Sequence, residues 1–567
     1  MKFILTLTLL FFITGFSEAQ NLKKPILHTA YWDFEKTKPM ERGFYYQDNF
    51  TGPTTLEHGK WTYWNKKGKV TEIRNYHKGK LNGEVISFYM NGQPKERGFF
   101  KLDVPDSLYQ SFFENGQIKT EGFYKMGQPV GNWITYYENG YHQKEEYYED
   151  SLVYVKNYWL PDSTQTLKDG NGKTFTWFKS NGQFQEIYNY KDGIKDGPFE
   201  EYNVYGRKLV TGKYKNGEKD GEWTFVYYTG DLDRKMNYKN GQLNGAYIKY
   251  YDNGQINVKG NYVDGEKDGH WQWFTNVGTI DMEGDFKNGL QDGYWVYWYA
   301  GDTIHKEYEG HFKAGKRHGK WNFYYANGNK WKEGIYIEDL EDGKWTTWWE
   351  NGNILKEGQF VAGKEDGHWV QYFENGDVKN EADFSLGRLN GEWKSYYKKN
   401  KIHIIGHYEN DLKIGNWKTY SEKGKLLEDG DYKIITYKKH VKYGPFSNRK
   451  LKESVRTGHW VWYSQKDGKK TYEGDYKNGK EEGTWIYYYP GGTKAMQTIQ
   501  YKKGRLDGKM TTYKWRPHRV TSEIEYKKGL KDGKAVFYDK RGRKAIVKYF
   551  KEGIEVKEDG KPVHFQP

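Results

Sequence analysis

From about Gly59 to Gly533 the chain alternates short aromatic-rich runs with polar turns, and it does so on a fixed period. The clearest marker is a Gly-x-Trp step, with Trp223, Trp271, Trp295, Trp321, Trp345, Trp369, Trp393 and Trp417, and with Tyr247 filling the gap after the first. The glycines of these steps are Gly221, Gly245, Gly269, Gly293, Gly319, Gly343, Gly367, Gly391 and Gly415, spaced by 24 residues except for 26 between Gly293 and Gly319. Earlier members are Gly59-Lys60-Trp61, Gly83-Glu84-Val85 and Gly131-Asn132-Trp133, and Ser107 stands where one glycine of the period is missing. Later members at Gly458, Gly483, Gly508 and Gly533 follow every 25 residues. A period of this length marks a repeat array in which each unit packs on its neighbours.

Within a unit the order is Gly-x-Trp-x-x-Tyr-Tyr-x-Asn-Gly, then Glu-Gly-x-Tyr, then a loop of the Lys-Asn-Gly type. In the unit that starts at Gly343 the first predicted strand runs from Trp345 to Trp349, the turn is Asn351-Gly352, and the second strand runs through Lys356 to Phe360. Asn-Gly between aromatic runs predicts a tight primed turn, with positive φ at both residues. It recurs at Asn91-Gly92, Asn115-Gly116, Asn253-Gly254, Asn327-Gly328 and Asn375-Gly376, and the second loop carries glycine as well, as in Asn216-Gly217. Each unit adds two antiparallel strands, and none of it has a helical pattern. The expected fold class is all-β, an elongated single-layer antiparallel β-hairpin array of roughly 20 units of about 24 residues.

Side chains alternate along a strand, so Trp321, Phe323 and Tyr325 share one face and Tyr324 takes the other. Gly358 shares a face with Phe360 on a returning strand, and a residue that small lets an indole lie flat over the backbone. That accounts for the repeated Glu-Gly. A single layer cannot hide both faces, so Trp223, Trp271, Trp321, Tyr325, Trp345, Trp349, Trp369 and Trp393 form a candidate aromatic binding face, suited to sugar rings or to a partner's apolar surface.

Composition fits an aromatic core. Aromatics make up 19% of the 567 residues, while all hydrophobic residues together reach only 36%. A mean hydropathy of −1.06 would otherwise indicate disorder, but disordered chains are poor in aromatics. Cysteine is absent, which excludes disulfides, thiolate metal sites, a catalytic thiol and a lipid-modified N-terminal cysteine.

Charge is uneven. Residues 431–567 hold 33 Lys+Arg against 16 Asp+Glu, a net of +17, leaving 57 and 60, a net of −3, for residues 1–430. Lys438, Lys439, Lys442, Lys514, Arg516, Arg519, Lys540, Arg541, Arg543 and Lys544 are the candidate basic patch for an anionic partner. The alternative is a solvated lysine-rich surface that discourages edge pairing.

Met1-Lys2, the apolar run from Phe3 to Phe16 and Ser17-Glu18-Ala19 have the three-part pattern of a secretory signal peptide cut before Gln20. The competing reading is an uncleaved anchor, for which the run falls short of the ~20 residues that span a bilayer. With no other apolar segment of that length, the mature chain is expected in the periplasm or outside the cell. The expected divisions are a signal peptide at 1–19, a lead-in at 20–58, repeat block 1 at 59–140, an interruption at 141–170, repeat block 2 at 171–430, a basic interruption at 431–457, and a basic third block with a C-terminal cap at 458–567. Each interruption is either a decayed repeat or a docking loop on a rigid scaffold.

The unit grammar, as in Gly319 to Gly334 or Gly367 to Gly376, resembles the MORN repeat (membrane occupation and recognition nexus) in its bacterial variant, whose members often carry the label antitoxin. The resemblance covers most of the chain from Gly59 to Gly533. It implies a single-layer hairpin ribbon and a scaffold or binding role, with lipids, proteins or self-association among the family's partners. An antitoxin acting on a cytoplasmic toxin would not be exported, so that label does not go with the predicted leader.

Catalytic patterns are missing. His270, His368 and His459 fill the variable slot after the motif glycine, and no His-Glu-x-x-His pairing suggests a metal site. Asp220, Asp268, Asp292, Asp342 and Asp366 precede motif glycines, which fits turn chemistry. Glu121, Glu283, Glu333, Glu357 and Glu473 share one repeated slot and so do not form a unique acid–base pair. No nucleophile elbow or phosphate loop is present. The expectation is an exported non-enzymatic scaffold, without cofactor, metal or catalytic residues, that binds a protein or cell-envelope component. The alternative is a carbohydrate-binding array. An anionic membrane surface is a further possible partner, and export argues against nucleic acid.

Overall fold

The computed structural model describes residues 24–48, 52–300, 305–439, 449–558 and 561. The predicted signal peptide at 1–19 and Lys442 of the basic patch lie outside the described residues. The fold is all-β: the described residues form 43 strands and no helix, so no helix is long and apolar enough to cross a membrane. The chain divides into two compact units, Met1–Glu266 and Lys267–Pro567. Within each, strands pair antiparallel with their neighbours in the chain, as Leu340–Trp348 does with Ile354–Val361 and that strand with Lys364–Tyr372.

The two kinds of turn differ from expectation. At Asn351-Gly352 only the glycine has positive φ, 88°. The Gly352 N–H donates to Trp349 O at 2.9 Å and the Trp349 N–H to Asn353 O at 2.7 Å, a type I turn closed by a glycine bulge rather than a primed turn. Asparagine is there for its side chain. Asn351 Oδ1 accepts the Asn353 N–H at 3.0 Å, and Nδ2 donates to Glu374 O in the next turn at 3.1 Å. The primed turns lie in the second loop, where Asn216 (φ 51°) and Gly217 (φ 85°) both take the left-handed conformation between the paired Lys215 and Glu218. The aspartates before the motif glycines cap these loops. Asp342 accepts the Ala362 N–H at 3.1 Å, and Asp366 the Leu386 N–H at 3.0 Å.

A bulge explains why the motif is Gly-x-Trp. Glu357 pairs with Val370 and Gln359 with Asp366, so Gly367, His368 and Trp369 together face Gly358 alone. Gly367, at φ 69°, supplies the bend. The strand then tips the Trp369 indole onto Gly358, where an added Cβ would lie 2.0 Å from Cδ2. Its Nε1 donates to Gln359 O at 3.0 Å, Phe360 meets it edge-on at 5.0 Å, and the Lys356 ammonium sits 4.2 Å from its centroid. The same seat recurs at Gly212 under Trp223, Gly284 under Trp295, Gly310 under Trp321 and Gly334 under Trp345.

The opposite face carries a ladder of tyrosine-to-glutamate hydrogen bonds. Tyr136 donates to Glu121 at 2.7 Å, Tyr372 to Glu357 at 3.0 Å and Tyr538 to Glu523 at 2.8 Å. Glu309 gathers the most, from Tyr294 (2.5 Å), Tyr324 (2.7 Å), Asn322 (3.2 Å) and Lys306 (2.6 Å). Burial pushes its carboxyl up, but the hydrogen bonds from Lys306, Tyr294 and Tyr324 outweigh that and hold it at about 2, below the ordinary 4.5. A lowered folded value means this stabilisation is complete above the unfolded value and lost as pH falls from about 4.5 toward 2. Glu309→Gln is therefore expected to destabilise by about 1–3 kcal/mol at neutral pH. The gap to the parent chain should close in denaturation curves taken toward pH 2, and a gap that does not depend on pH would contradict the assignment.

Strands run through both interruptions. Residues 141–170 include the strands His142–Glu149, Leu152–Trp159 and Gln165–Lys168, with Val155, Tyr158 and Leu167 forming a local core. The described residues of the second interruption, 431–439 and 449–457, belong to one long hairpin, Leu426–Lys439 with Arg449–Tyr463, which continues pairing from Lys433–Val455 out to Lys439–Arg449. The next hairpin in the chain has already turned at Lys477–Lys480.

Candidate functional site

The aromatic candidates occupy the core. Trp223, Trp271 and Trp345 are 1% exposed, Trp321 2% and Trp369 5%. A single layer was expected to leave them open. It does not, because the bulge lays the indole on a glycine and a cation covers the ring from the other side. Lys219 lies 4.2 Å from the Trp223 centroid, Lys267 4.5 Å from Trp271 and Lys332 4.3 Å from Trp345. Burial pushes the Lys219 and Lys267 pKa values down, as expected of ammonium groups drawn into this packing. The ring faces on which a sugar would stack are taken. Trp349, Tyr325 and Trp393 are half-buried. Tyr325 donates its hydroxyl to Trp348 O at 2.8 Å, and Trp393 stacks on Trp417 at 5.7 Å.

The basic candidates divide between opposite strand ends. Lys438 and Lys439 lie on the long hairpin, at the end of the sheet that carries the primed loops. Lys514, Arg516, Arg519, Lys540, Arg541, Arg543 and Lys544 lie at the other end, around two consecutive turns. Strands of nine residues put about 30 Å between the two ends, so these nine residues do not form one patch.

The second group does come together. Lys514 pairs across the strand ends with Arg519, and Gly542 of the next turn lies beside the Arg519 side chain. Trp515 anchors the first turn, edge-on to Tyr489 at 5.1 Å, with Lys494 5.5 Å and Arg516 5.8 Å from its ring. His518 Nε2 bonds Ala495 O at 2.8 Å and ties this turn to the one before. Asp539 organises the second turn, accepting the Arg541 and Arg543 N–H groups at 2.8 and 2.9 Å and the Arg543 guanidinium at 3.0 Å. Among the described residues, Arg543–Asp539 is the one ion pair within this group, and Lys514, Arg516, Lys540, Arg541 and Lys544 are exposed. Lys494 was missed in the sequence because it lies in a different repeat, and only the turn-to-turn packing brings it alongside.

The motif histidines each meet acids across the strand. His270 faces Asp285 (2.9 Å) and Glu283 (3.4 Å), His459 faces Asp475 (2.9 Å) and Glu473 (3.3 Å), and His368 faces Asp383 (2.7 Å).

The model of the MORN repeat variant matches residues 81–102, 105–126, 219–240, 243–264, 317–338, 341–362, 365–385, 389–410 and 413–433. No curated protein gives a significant match. Among solved structures, the chain is similar to the TcdB2-TccC3-Cdc42 crystal structure at 11% identity, over 90% of this chain and 29% of that one, with a TM-score of 0.13. It is also similar to a Photorhabdus luminescens Tc holotoxin pore at 10% identity, over 95% of this chain and 34% of that one, with a TM-score of 0.12. The chain thus spans about a third of the length of these solved chains, and TM-scores of this size carry no argument.

Proposed function

Because the chain is a MORN-repeat protein, matched over nine of its units, we propose that it is an exported, non-enzymatic scaffold whose working surface is the basic turn edge from Lys494 to Lys544. Its partner there is an anionic protein or cell-envelope component. One observation carries the reading: cations on consecutive turns, held in place by Trp515 and Asp539, with a single carboxylate paired among them. Like charges crowded on an ordered edge are unfavourable when free and are relieved by an opposite charge, which also speeds association. Export rests on the leader pattern, and N-terminal sequencing of the mature protein should begin at Gln20.

Co-sedimentation of the mature chain with envelope fractions tests the docking surface. Raising salt from ~50 to ~300 mM should weaken binding at least tenfold, since the Debye length falls below the spacing of the turns. The combined variant Arg516→Glu, Arg519→Glu, Arg541→Glu should weaken it similarly at low salt with the fold intact. Binding that ignores both changes would overturn the reading.

A further inference from the structure

Two neighbouring repeats in the first compact unit lack the tryptophan that most others carry. The motif position holds Val85 in one and Tyr109 in the other, and Arg74, paired with Val85, stands in the glycine slot between Trp61 and Val85. Ser87 and Ser111 occupy a position that is aromatic in some repeats, as Trp273, Tyr297 and Phe323, and polar in others, as Thr347 and Gln371. The consequence shows at Gly98. The other glycines of this slot would place a Cβ within about 2 Å of an indole, as Gly122 does at 2.1 Å from Trp133, but at Gly98 the nearest atom is Tyr109 Cδ2 at 3.6 Å. The seat is present and its indole is not.

The space is a 370 Å³ cavity over Gly98, walled by Leu81, Val85, Phe100, Pro105, Tyr109 and Tyr124. That volume is within the range of small-molecule sites. At one end Glu72, Ser87 and Glu96 lie in register across three strands. Glu72 is bridged to Arg74 at 2.8 Å, whereas Glu96 forms no ion pair among the described residues, and Ser87 Oγ is buried with no hydrogen-bond partner. The lining charges therefore sum to an excess of one carboxylate beside an aromatic-shaped slot.

We infer that this cavity binds a cationic aromatic group, a planar ring seated on the Gly98 backbone with its ammonium toward Ser87 and Glu96. The shape argument comes from the chain's own repeats, in which the same glycine seat takes an indole each time. The charge argument comes from Glu96, and Ser87 supplies a hydrogen-bond acceptor. The group is either a free aromatic amine or a tryptophan beside a lysine on a partner protein. The inference is independent of the basic turn edge, which lies in the second compact unit.

The test is calorimetric titration of the mature full-length chain with tryptamine, with indole, and with a doubly blocked Trp-Lys dipeptide. Tryptamine or the dipeptide should bind saturably at one per chain, and the tighter of the two identifies the source. Indole, which lacks the charge, should bind more weakly, and Glu96→Gln should narrow that difference about threefold. Tyr109→Trp restores the missing indole and should lower affinity at least about tenfold while leaving the melting temperature unchanged or higher. Gly98→Leu, which has room for its Cβ, should block the same space from the other side if Tyr109→Trp folds poorly. No saturable binding of either cationic probe, or binding that survives both filling variants, would overturn the site.

Discussion

Alanine at Gly358 is expected to destabilise its part of the array by about 3 kcal/mol or more, although it adds a single methyl group. The backbone of Gly358 is not in the left-handed region, so the whole cost is steric. The new Cβ would sit 2.0 Å from Trp369 Cδ2 and 2.4 Å from Cε2. The indole cannot slide aside cheaply, since Nε1 is bonded to Gln359 O, Phe360 closes its edge and Lys356 covers its outer face. Two other glycines separate the possible causes. Gly367 has φ 69° and nothing within 4 Å, so Gly367→Ala should cost about 1–2 kcal/mol from backbone strain alone. Gly98 has neither problem, and Gly98→Ala should fall within about 0.5 kcal/mol of the parent. Units in an array couple mainly to their neighbours, so hydrogen exchange should show the Gly358→Ala loss concentrated around residues 340–372. Equal costs at the three sites would refute the indole seat as the basis of the core.

The period, the hairpins and the Glu-Gly seat were legible in the sequence because each rests on local rules: glycine at bends, alternation along strands, and a small residue under a large one. The turn types were not. Asn-Gly satisfies both a primed turn and a glycine bulge, and the choice depends on Asn351 reaching Glu374 in the next turn, a contact that strand pairing creates. Exposure of the tryptophans was misjudged for a related reason. Alternation assigns Trp345 to a face, but the bulge at Gly343 tilts it onto Gly334 and Lys332 then covers it. The basic residues were counted correctly and placed together wrongly, because proximity in sequence does not say which strand end a turn occupies. The cavity over Gly98 was visible only as two departures from the motif, Val85 and Tyr109, whose joint effect needs three-dimensional register.

Trp345→Ala is expected to cost about 3–5 kcal/mol, the range for a large buried aromatic. Trp345 is 1% exposed, donates Nε1 to Ile335 O at 3.2 Å, meets Tyr336 edge-on at 5.0 Å and has Lys332 above it at 4.3 Å. Deletion leaves a void over Gly334, strands the Ile335 carbonyl and uncovers a lysine that packed against the ring. Trp349, four residues on, gives the contrast. It is half-buried and its Nε1 has no partner, while the equivalent Tyr325 one repeat earlier donates its hydroxyl to Trp348 O at 2.8 Å. Trp349→Tyr should therefore match the parent or exceed it by about 1 kcal/mol, because a phenol there can donate to Tyr372 O, which sits at the corresponding place one unit on. Urea denaturation of the two variants beside the parent decides the role of the aromatic row. If Trp345→Ala kept full stability and lost envelope binding instead, the indoles would be the recognition surface and the basic turn edge a bystander. A large stability loss for Trp345→Ala with none for Trp349→Tyr makes the row structural, each indole fixed by the glycine beneath it.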